Sequence, residues 1–309
     1  MSTALVTGAA GFIGSNLSDA LLECGYSVRG IDNFTTGRGN NLKALRSRDD
    51  FILHETDIRD DAAMKDVLEG VDYVFHQAAV PSVPRSIDDP VTTTDANCTG
   101  TATVLNTARH ANVDTVVVAS SSSVYGSSEE LPKTETMSEV PESPYALSKY
   151  FTEKLALQFS DLYDINTVAL RYFNIFGPRQ DQEGDYAAVI PKFIQLMLHD
   201  ERPVIYGDGE QSRDFTYIDN AIQANVLAAE GDVSGEAFNV GTGGRITVNE
   251  LVEMLNELLE TDIEPIYDDP RPGDVRHSHA DISKATELLG YKPEVGFEEG
   301  LKQTVEYYE

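Results

Sequence analysis

The sequence contains few cysteines and no long apolar run, and both shortages narrow the class of protein. Its 309 residues include only two cysteines, Cys24 and Cys98, so a disulfide framework is excluded and buried structural thiols are expected. No apolar run approaches the length of a membrane span, and no basic segment precedes an apolar one as in a secretory leader. We therefore expect a cytoplasmic protein that does not enter a membrane.

Basic residues are also scarce. The chain carries 23 Lys and Arg against 52 Asp and Glu, a formal net charge of −29, and the acids are spread along the chain rather than gathered in a tail. Such a field repels phosphate backbones, so nucleic acid is excluded as a partner. A spread acidic surface suits a cytoplasm of very high salt, where charge repulsion is screened. A halophilic source is predicted, and an acidic protein from an ordinary cytoplasm is the alternative.

A glycine turn stands near the start of the chain. The turn Gly8-Ala9-Ala10-Gly11-Phe12-Ile13-Gly14 follows an apolar run at residues 4–7 and precedes a helical pattern. Strand, glycine turn and helix in this order predict a dinucleotide site. Gly8 allows the tight turn, Gly11 lets the backbone approach a pyrophosphate, and Gly14 lets the helix pack close to the strand.

An acidic residue stands at the end of the second predicted strand. Residues 27–31 are predicted as this strand, which runs into Asp32. A carboxylate at that point accepts hydrogen bonds from an adenosine ribose and repels a 2′-phosphate, so NAD is favoured over NADP. Arg38 nearby argues mildly in the other direction.

Strands and helices alternate through the first half of the chain. Further strands are predicted at residues 51–54, 72–75 and 115–119, with a helical pattern at residues 90–110. Alternation of this kind predicts a Rossmann-type α/β fold, in which a doubly wound parallel sheet carries helices on both faces. Ligands of such sheets bind beyond the carboxyl ends of the strands.

The second half of the chain changes character, because glycines and prolines cluster in loops around short elements. A smaller C-terminal substrate-binding domain is therefore predicted. The predicted division assigns residues 1–172 to an NAD-binding Rossmann domain and residues 173–309 mainly to the substrate-binding domain, with segments that interleave.

Tyr145 and Lys149 stand four residues apart, one turn from each other on a single helix face. A phenol has an ordinary pKa of about 10, so it needs positive charge nearby to act as a base at neutral pH. An ammonium and the positive ring of an oxidised nicotinamide would supply that charge. An isolated pair is more often an ordinary solvated helix pair; here the other motifs remove the isolation.

The glycine turn, the serine run before Val124-Tyr125-Gly126 and the Tyr145/Lys149 pair together resemble the extended short-chain dehydrogenase/reductases. More narrowly, the chain resembles NAD-dependent nucleotide-sugar 4-epimerases of the UDP-glucose and UDP-N-acetylglucosamine type. The resemblance covers nearly the full length and includes Arg171-Tyr172-Phe173-Asn174, Gly177-Pro178-Arg179-Gln180, Ala187-Ala188-Val189-Ile190-Pro191, Ser212-Arg213-Asp214-Phe215 and Arg271-Pro272-Gly273-Asp274.

This resemblance implies an isomerase that inverts C4 of a UDP-hexose through a transient 4-keto sugar. Tyr145 would remove the 4-hydroxyl proton, Ser121 would hydrogen-bond the reacting sugar oxygen, and Lys149 would hold the nicotinamide ribose and lower the tyrosine pKa. The cofactor ends unchanged, so tight binding of NAD is expected. A homodimer through helices near residues 90–110 and 145–163 is also implied, although burial within one subunit explains these amphipathic helices equally.

Further residues are placed along the cofactor by the resemblance. Asp57 is placed near the adenine amino group, and the small residues Ala78 and Ala79 permit close passage of the cofactor at a strand end. The full set of residues expected to bind NAD is Gly8, Gly11, Phe12, Ile13, Gly14, Asp32, Asn33, Gly37, Asp57, Ile58, Gln77, Ala78, Ala79, Asn97, Tyr145, Lys149 and Tyr172.

The substrate's diphosphate needs cations, and Arg213 and Arg271 occupy the family positions for it, because a guanidinium fork matches phosphate. Asn174 matches a residue on the phosphate side, and Tyr206 either lies near the expected uracil contact or packs in the core. The full set of residues expected to bind substrate is Ser82, Ser121, Ser122, Asn174, Val189, Tyr206, Arg213, Arg271, Asp274 and Ser278.

Ser122 and Ser123 separate this chain from some relatives. Sugar-nucleotide 4,6-dehydratases carry Asp-Glu there and UDP-glucuronate decarboxylases carry Glu, and a hydroxyl does not readily do the acid/base work of eliminating water. UDP-glucuronate 4-epimerases also have serine-rich runs at this point. UDP-glucuronate 4-epimerase or decarboxylase activity therefore stays open, as does a non-catalytic dinucleotide sensor.

Ser278 bears on the choice of sugar. Epimerases restricted to glucose and galactose place a tyrosine there, whereas a serine leaves room for a 2-acetamido group, unless it only packs a turn. N-acetylated substrates, or both kinds, are therefore preferred. The neighbouring His277 and His279 lack an evident third ligand, so no metal site is expected.

Overall fold

The computed structural model describes residues 2–182, 187–270 and 275–309. Its strands are β1 (Thr3–Thr7), β2 (Ser27–Asp32), β3 (Phe51–Glu55), β4 (Tyr73–His76), β5 (Thr115–Ser121), β6 (Asn166–Tyr172), β7 (Ile175–Phe176), β8 (Val204–Tyr206), β9 (Ser212–Arg213), β10 (Thr216–Tyr217), β11 (Glu236–Val240), β12 (Ile246–Thr247) and β13 (Ile266–Asp268). Its α-helices are α1 (Phe12–Glu23), α2 (Asp61–Leu68), α3 (Val83–Asp88), α4 (Pro90–Thr94), α5 (Gly100–His110), α6 (Pro144–Leu162), α7 (Val189–Leu198), α8 (Ile218–Glu230), α9 (Val248–Leu259), α10 (Ser283–Leu289) and α11 (Phe297–Tyr308).

Seven parallel strands form one sheet in the spatial order β3-β2-β1-β4-β5-β6-β11. The strand order reverses between β1 and β4, where Thr7 is paired with His76 near the carboxyl ends of both strands. Open parallel sheets bind ligands at such a switch point. The topology therefore places a binding site beside the turn that follows β1.

Helices cover both faces of the sheet, as the alternation of side chains along β5 shows. Val117 packs in a buried cluster with residues of α1 and α8. Val116 and Val118 pack in a second cluster with residues of α2, α5 and α6. Since neighbouring side chains of a strand point to opposite faces, these clusters are the two faces of a doubly wound sheet. The predicted fold class is confirmed.

A third buried cluster forms the core of a smaller lobe. It joins α7, α9 and α11 to the short strands, with Phe176, Phe193 and Leu251 among its members. Phe12 and Ile13, from the start of α1, pack against this cluster while partly exposed. The glycine turn therefore lies where the smaller lobe meets the sheet.

The two halves of the chain interleave, because β11 from the second half forms the edge of the sheet beside β6. The division at residue 172 stays a prediction. The predicted helix at 90–110 is divided into α4, a π-helical turn at Asp95–Thr99, and α5. In the described ranges, no helix combines the length and apolarity that crossing a membrane requires.

The expectation of two buried thiols is wrong. Cys24 is exposed and Cys98 is partly exposed, and both are free thiols. Cys24 is the C-cap of α1, one residue beyond the helix, and its side chain is exposed although Leu21 and Leu22 just before it are buried. A helical pattern in sequence predicts a face of the helix but not where that face ends.

Candidate active site

The glycine turn closes the carboxyl end of β1 and opens α1. Gly8 has a φ of 70°, and a Cβ there would lie 2.9 Å from backbone atoms of Ala78 at the end of β4. A Cβ on Gly14 would lie 2.1 Å from the carbonyl oxygen of Gly8. Both positions therefore require glycine on steric grounds, and the turn stays narrow enough for a ligand to approach its backbone.

The N-terminus of α1 fits a pyrophosphate. The N-cap residue is Gly11, which has no side chain to cap the helix, and the first turn of this fully described helix carries no acidic residue. The N–H groups of Phe12, Ile13 and Gly14 open the helix and have no i−4 carbonyl within it. Donors at the positive end of a helix attract phosphate oxygens, so the turn fits the diphosphate of a dinucleotide.

Asp32 lies at the end of β2 and is 7% exposed. One carboxylate oxygen accepts the N–H of Ala10 at 2.9 Å and the other accepts the N–H of Phe34 at 2.8 Å. Burial raises the pKa of Asp32, and these two hydrogen bonds oppose the rise. A Cβ on Gly37 would lie 2.6 Å from the carboxylate, so the loop closes over Asp32. Each oxygen retains a second lone pair that a ribose hydroxyl could use.

The next two predicted cofactor residues form a polar pair beyond β2 and β3. Asn33 donates from Nδ2 to Asp57 at 2.8 Å, and Arg59 donates from Nε and Nη2 to Asp57 at 2.8 and 2.7 Å. The guanidinium of Arg59 holds the pKa of Asp57 well below its ordinary value.

Arg38 is the residue whose charge would favour NADP over NAD. Its guanidinium forms an ion pair with Asp181 at 2.5 Å.

Gln77, Tyr172 and Asn225 form a hydrogen-bonded group between β4, β6 and α8. The Tyr172 hydroxyl donates to Gln77 at 3.1 Å, Asn225 donates to the Tyr172 hydroxyl at 2.7 Å, and Gln77 donates to Asn225 at 3.0 Å. Burial raises the pKa of Tyr172 to about 12, so this hydroxyl stays neutral. Ala78 and Ala79 follow Gln77 and are partly exposed. Asn225 was missed because its helical run shows only a packing pattern.

Asn97 lies in the π-helical turn and is 1% exposed. Its side chain accepts the N–H of Val80 at 2.7 Å and donates to the Val80 carbonyl at 3.2 Å and to Ser148 Oγ at 2.9 Å. Asn97 thus fixes the loop after β4 against α6.

Ile58, another predicted cofactor residue, is 9% exposed. A Cβ on Gly100 would lie 2.4 Å from its side chain, so Ile58 packs on the start of α5.

α6 carries the Tyr145/Lys149 pair. The helix is capped by Ser143, whose side chain accepts the N–H of Ala146 at 3.1 Å. Lys149 is 5% exposed, and its Nζ donates to the carbonyl of Ala119 in β5 at 2.9 Å. The Lys149 Nζ lies 6.0 Å from the ring centroid of Tyr145. The structure therefore brings the predicted base and ammonium together at the carboxyl end of β5.

Burial disfavours the charged form of both groups. It raises the pKa of Tyr145, opposed by a side-chain hydrogen bond with Ser121. It lowers the pKa of Lys149 to about 8, opposed by Cys98. The expected lowering of the Tyr145 pKa is thus not present in the chain alone. A phenolate needs further positive charge, which an oxidised nicotinamide carries.

Ser121 ends β5 and caps a short 3₁₀ helix, Ser122–Tyr125. Its Oγ accepts the N–H of Ser123 at 3.1 Å and the hydroxyl of Ser123 at 2.9 Å. Ser122 is partly exposed.

Ser82, at the start of α3, has a φ of 89°. A positive φ costs a residue other than glycine about 1–3 kcal/mol, and residues with such strained backbones are found most often at ligand and active sites.

A histidine does not compete for the role of base. The ring nitrogens of His76 pair with Thr7 Oγ1 at 2.8 Å and Thr101 Oγ1 at 3.0 Å. Burial lowers the pKa of His76 to about 3, so the ring is neutral and structural. In the described ranges, no group of three or more His, Cys, Asp or Glu side chains could hold a metal ion.

A pocket of about 190 Å³ in the smaller lobe collects three predicted substrate residues, Val189, Tyr206 and Arg213. Its other lining residues are Phe193, Val204, Ile205, Gln211 and Val248. Five of these eight lining residues are apolar, and Tyr206, Gln211 and Arg213 add polar groups, which suits a planar base with a charged extension. Arg271 and Asp274, also predicted to bind substrate, lie outside the described residues.

Ser278 and Asn174 both hydrogen-bond the backbone of the segment around Arg213. The Ser278 N–H donates to the Ser212 carbonyl at 3.0 Å, and its own carbonyl accepts the N–H of Asp214 at 2.9 Å. Asn174, with a φ of 39°, donates from Nδ2 to the Asp214 carbonyl at 3.2 Å. The structure thus brings Asn174, Arg213 and Ser278 together.

Arg179 is a further candidate that the sequence did not single out. Its Nη1 donates to the Ser15 carbonyl at 2.9 Å, and its Nη2 forms an ion pair with Asp19. Asn16 donates to the carbonyl of Pro178 at 3.0 Å. The segment after β7 is therefore tied to α1 within its first two turns, close to the proposed diphosphate site. Only the run Gly-Pro-Arg-Gln marks it in the sequence.

Comparison with known proteins adds to this geometry. The NAD dependent epimerase/dehydratase family matches residues 4–241. The putative UDP-glucose 4-epimerase of Methanocaldococcus jannaschii is 42% identical over 305 residues, which cover 98% of this chain and 97% of that protein.

Two solved structures are similar over almost the whole chain. A UDP-N-acetylglucosamine 4-epimerase from Methanobrevibacter ruminantium M1, in complex with UDP-N-acetylmuramic acid, is 42% identical with a TM-score of 0.95, covering 99% of this chain and 98% of that one. A UDP-glucose 4-epimerase from Thermotoga maritima, with UDP-glucose, is 41% identical with a TM-score of 0.94 and the same coverage of both chains.

Proposed function

The chain belongs to the NAD dependent epimerase/dehydratase family, and on this premise we propose that it catalyses NAD-dependent C4 epimerisation of a UDP-hexose through a transient 4-keto sugar. The observation that carries the proposal is the placement of Tyr145 and Lys149 on α6 against the carboxyl end of β5, where Ser121 stands. The glycine turn opens at the same edge of the sheet.

Bound NAD supplies reversible hydride transfer at C4 of the sugar. Tyr145, as phenolate, takes the proton of the 4-hydroxyl and returns it after the 4-keto sugar has presented its other face. Ser121 hydrogen-bonds the reacting oxygen and keeps it beside the phenol. Lys149 holds the nicotinamide ribose, and its ammonium adds to the positive charge that stabilises the phenolate.

The substrate proposal is a UDP-sugar that includes UDP-glucose and UDP-galactose and extends to the N-acetylated pair. The pocket of about 190 Å³ supports a uracil site, because Tyr206 and Arg213 are both among its lining residues. A guanidinium beside that pocket suits a diphosphate. Ser278, held across from Arg213, supports the extension because its side chain leaves room for a 2-acetamido group.

The activity is tested by incubating purified protein, in high salt and without added NAD, with UDP-glucose, UDP-N-acetylglucosamine or UDP-glucuronate. The C4 epimer is expected, and Tyr145→Phe should lower kcat by about 10²- to 10⁴-fold because proton transfer is lost. Tyr150→Phe, on the same helix, is the control and should keep activity. If folded protein reconstituted with NAD converts none of the three sugars, a different sugar or a non-catalytic sensor replaces the proposal. Conversion of UDP-glucuronate alone would support the glucuronate 4-epimerase or decarboxylase alternative.

The role of Ser278 has its own test. Ser278→Tyr should lower kcat/KM for UDP-N-acetylglucosamine by about tenfold or more while sparing UDP-glucose, since the ring would fill the space of the acetamido group. The control is Ser283→Tyr at an exposed position of α10. An equal loss for both sugars would mean that Ser278 only packs the turn.

We also propose a homodimer through α4 and α6, which lie in the predicted segments near residues 90–110 and 145–163. These helices contact one another and expose large apolar side chains: Val91 is 76% exposed on α4, and Leu147 and Phe151 are 56% and 40% exposed on α6. Val91→Asp should shift the protein from dimer to monomer in sedimentation velocity, because burying a carboxylate at an interface is unfavourable. Leu288→Asp, at a 51% exposed site on α10, is the matched control. A monomeric wild type would contradict the proposal.

A halophilic origin is proposed from the net charge of −29. High salt shortens the range of repulsion between the acidic side chains to a few ångströms. As the salt concentration is lowered, circular dichroism should therefore show that the protein unfolds before the concentration has fallen to about 0.1 M. Retention of the fold in low salt would refute this proposal and favour an acidic protein from an ordinary cytoplasm.

A further inference from the structure

α6 presents small and polar side chains to the sheet. The buried residues of this fully described helix are Ala146, Ser148, Lys149, Thr152, Glu153 and Ala156. No large apolar residue is among them. Interdigitating large side chains usually fix where a helix lies, and small ones leave a flatter surface. The large apolar side chains of α6 that pack on this face, Leu155, Leu157 and Phe159, are only partly buried and lie beyond Glu153. Along the part of α6 that carries Tyr145 and Lys149, directional polar contacts therefore contribute to the position of the helix.

Glu153 supplies such contacts from the interior. It is 0% exposed, and its Oε2 accepts the hydroxyl of Ser120 at 2.8 Å and Nε of Arg171 at 2.8 Å. Its Oε1 accepts Nη2 of Arg171 at 2.6 Å, and Arg171 is 1% exposed. Ser120 and Arg171 are paired residues of β5 and β6. One carboxylate therefore joins the helix to two neighbouring strands.

The contacts between α6 and β5 involve consecutive residues of the strand. Tyr145, Lys149 and Glu153 are spaced by four on one helix face; Lys149 donates to the carbonyl of residue 119, Glu153 accepts from the hydroxyl of residue 120, and Ser121, the next residue, lowers the pKa of Tyr145 against the effect of burial. An α-helix rises 1.5 Å and turns 100° per residue. A slip of α6 by one residue would therefore misplace both members of the catalytic pair.

The network around Glu153 is balanced in charge. Arg171 also donates from Nη2 to Glu139 at 2.6 Å. Lys154 pairs with Glu139 at 2.6 Å and with Glu153 at 3.3 Å. Two acids and two bases cancel, so the network acts on the site by geometry rather than through a net field.

Stability alone does not account for this network. Replacing a buried ion pair by apolar residues of similar volume is often neutral or stabilising, whereas a buried pair can specify one arrangement among several. The arrangement specified here is the position of Tyr145 and Lys149 against the end of β5.

We propose that Glu153 is a positioning residue for the redox step: with Ser120 and Arg171, it fixes α6 along β5 so that Tyr145 and Lys149 face the reacting carbon and the cofactor. This inference rests on the proposed function. With NAD bound, the step would balance on the substrate: the cofactor would supply reversible acceptance of the C4 hydride, and Tyr145 would take the 4-hydroxyl proton and return it to give the epimer.

The test compares Glu153→Gln, which keeps size but removes charge, with Leu105→Ala, which truncates a fully buried side chain of α5 outside the network. For each variant, kcat and KM are measured at saturating NAD, and the NAD Kd is measured on protein stripped of cofactor. Glu153→Gln should lower kcat by about 10- to 100-fold with KM within about twofold, because displacement of catalytic groups by about 1 Å has that effect. Its NAD Kd should rise by about tenfold because Lys149 moves with the helix. Leu105→Ala should lose thermal stability and keep kcat and Kd.

Ser120→Ala covers the case in which Glu153→Gln does not fold, because it removes only the hydrogen bond from Ser120 to Glu153 and leaves the ion pair between Glu153 and Arg171. Its kcat should fall by about threefold to tenfold with little change in Tm. If the variants keep wild-type kcat and NAD Kd and lose only stability, as Leu105→Ala does, the positioning role is refuted. If wild type converts no sugar, the proposed function fails, and the NAD Kd values still decide the role of Glu153.

Discussion

Lys149→Met should stabilise the NAD-free protein at neutral pH while removing its activity. Lys149 is 5% exposed, and burial lowers its pKa from 10.5 to about 8. Because the folded pKa lies below the unfolded one, folding disfavours the ammonium. This destabilisation is fully present below pH 8 and disappears as the pH rises from about 8 to 10.5.

The magnitude follows from the pKa difference. At 1.36 kcal/mol per pH unit, the change from 10.5 to about 8 corresponds to about 3 kcal/mol at pH 7. Loss of the hydrogen bond from Lys149 to the Ala119 carbonyl offsets about 1 kcal/mol. Lys149→Met should therefore raise the free energy of unfolding by about 2 kcal/mol. For 309 residues that unfold together, this corresponds to a Tm higher by about 3 °C.

The assay is thermal unfolding of cofactor-free protein at pH 7 and at pH 10.5 in the same salt. Lys149→Met should be more stable than wild type at pH 7, and at pH 10.5 this advantage should be gone, with wild type slightly more stable because its hydrogen bond to the Ala119 carbonyl remains. Lys65→Met is the control, because this lysine is 60% exposed in a surface pair with Asp61 and should show no comparable pH dependence. A Lys149→Met variant that is less stable than wild type at pH 7, or a difference that is equal at both pH values, would refute the reasoning.

Two further predictions concern the cofactor. Gly14→Ala would place a Cβ 2.1 Å from the Gly8 carbonyl oxygen, so the turn must open and the NAD Kd measured by calorimetry should rise by about 100-fold; unchanged binding would show that the turn tolerates the methyl group. Arg179→Ala removes the hydrogen bond to Ser15 and the ion pair with Asp19, so NAD should dissociate about tenfold faster in a dilution assay; an unchanged rate would mean that this segment does not retain the cofactor.

The parts of the protein that were predicted correctly depend on local patterns. The glycine turn, Asp32 and the Tyr145/Lys149 pair are each visible within a few residues, and the alternation is visible as a series of short strand and helix patterns. The family, the fold class and the NAD cofactor predicted from these motifs and from the resemblance are confirmed. Alternation and chain connectivity restrict the topology strongly, because crossovers between parallel strands have one hand and neighbouring strands tend to pair.

The parts that the sequence did not disclose depend on contacts between distant residues. Glu153 meets Ser120 from 33 positions away and Arg171 from 18, and its period of four along α6 looks like surface charge in the sequence. Asn225 reaches Tyr172 across 53 positions. Such contacts require the register of strands and helices, which a composition or a helical period does not specify. The direction of the Tyr145 pKa likewise follows from burial, which no motif encodes.

Charge in this protein is arranged on two scales. The chain as a whole carries −29, which repels an anionic nucleotide sugar. Near the pocket, however, Arg213 donates to the Arg276 carbonyl at 3.2 Å and is paired with Ile246, the residue after Arg245. Three of the 23 basic residues thus lie in the segments around the pocket wall that Arg213 forms, and one of them, Arg276, is paired with Asp208. An acidic protein that binds an anion needs such a local reversal of sign, and short-range screening in high salt would let the local arginines outweigh the distant acids.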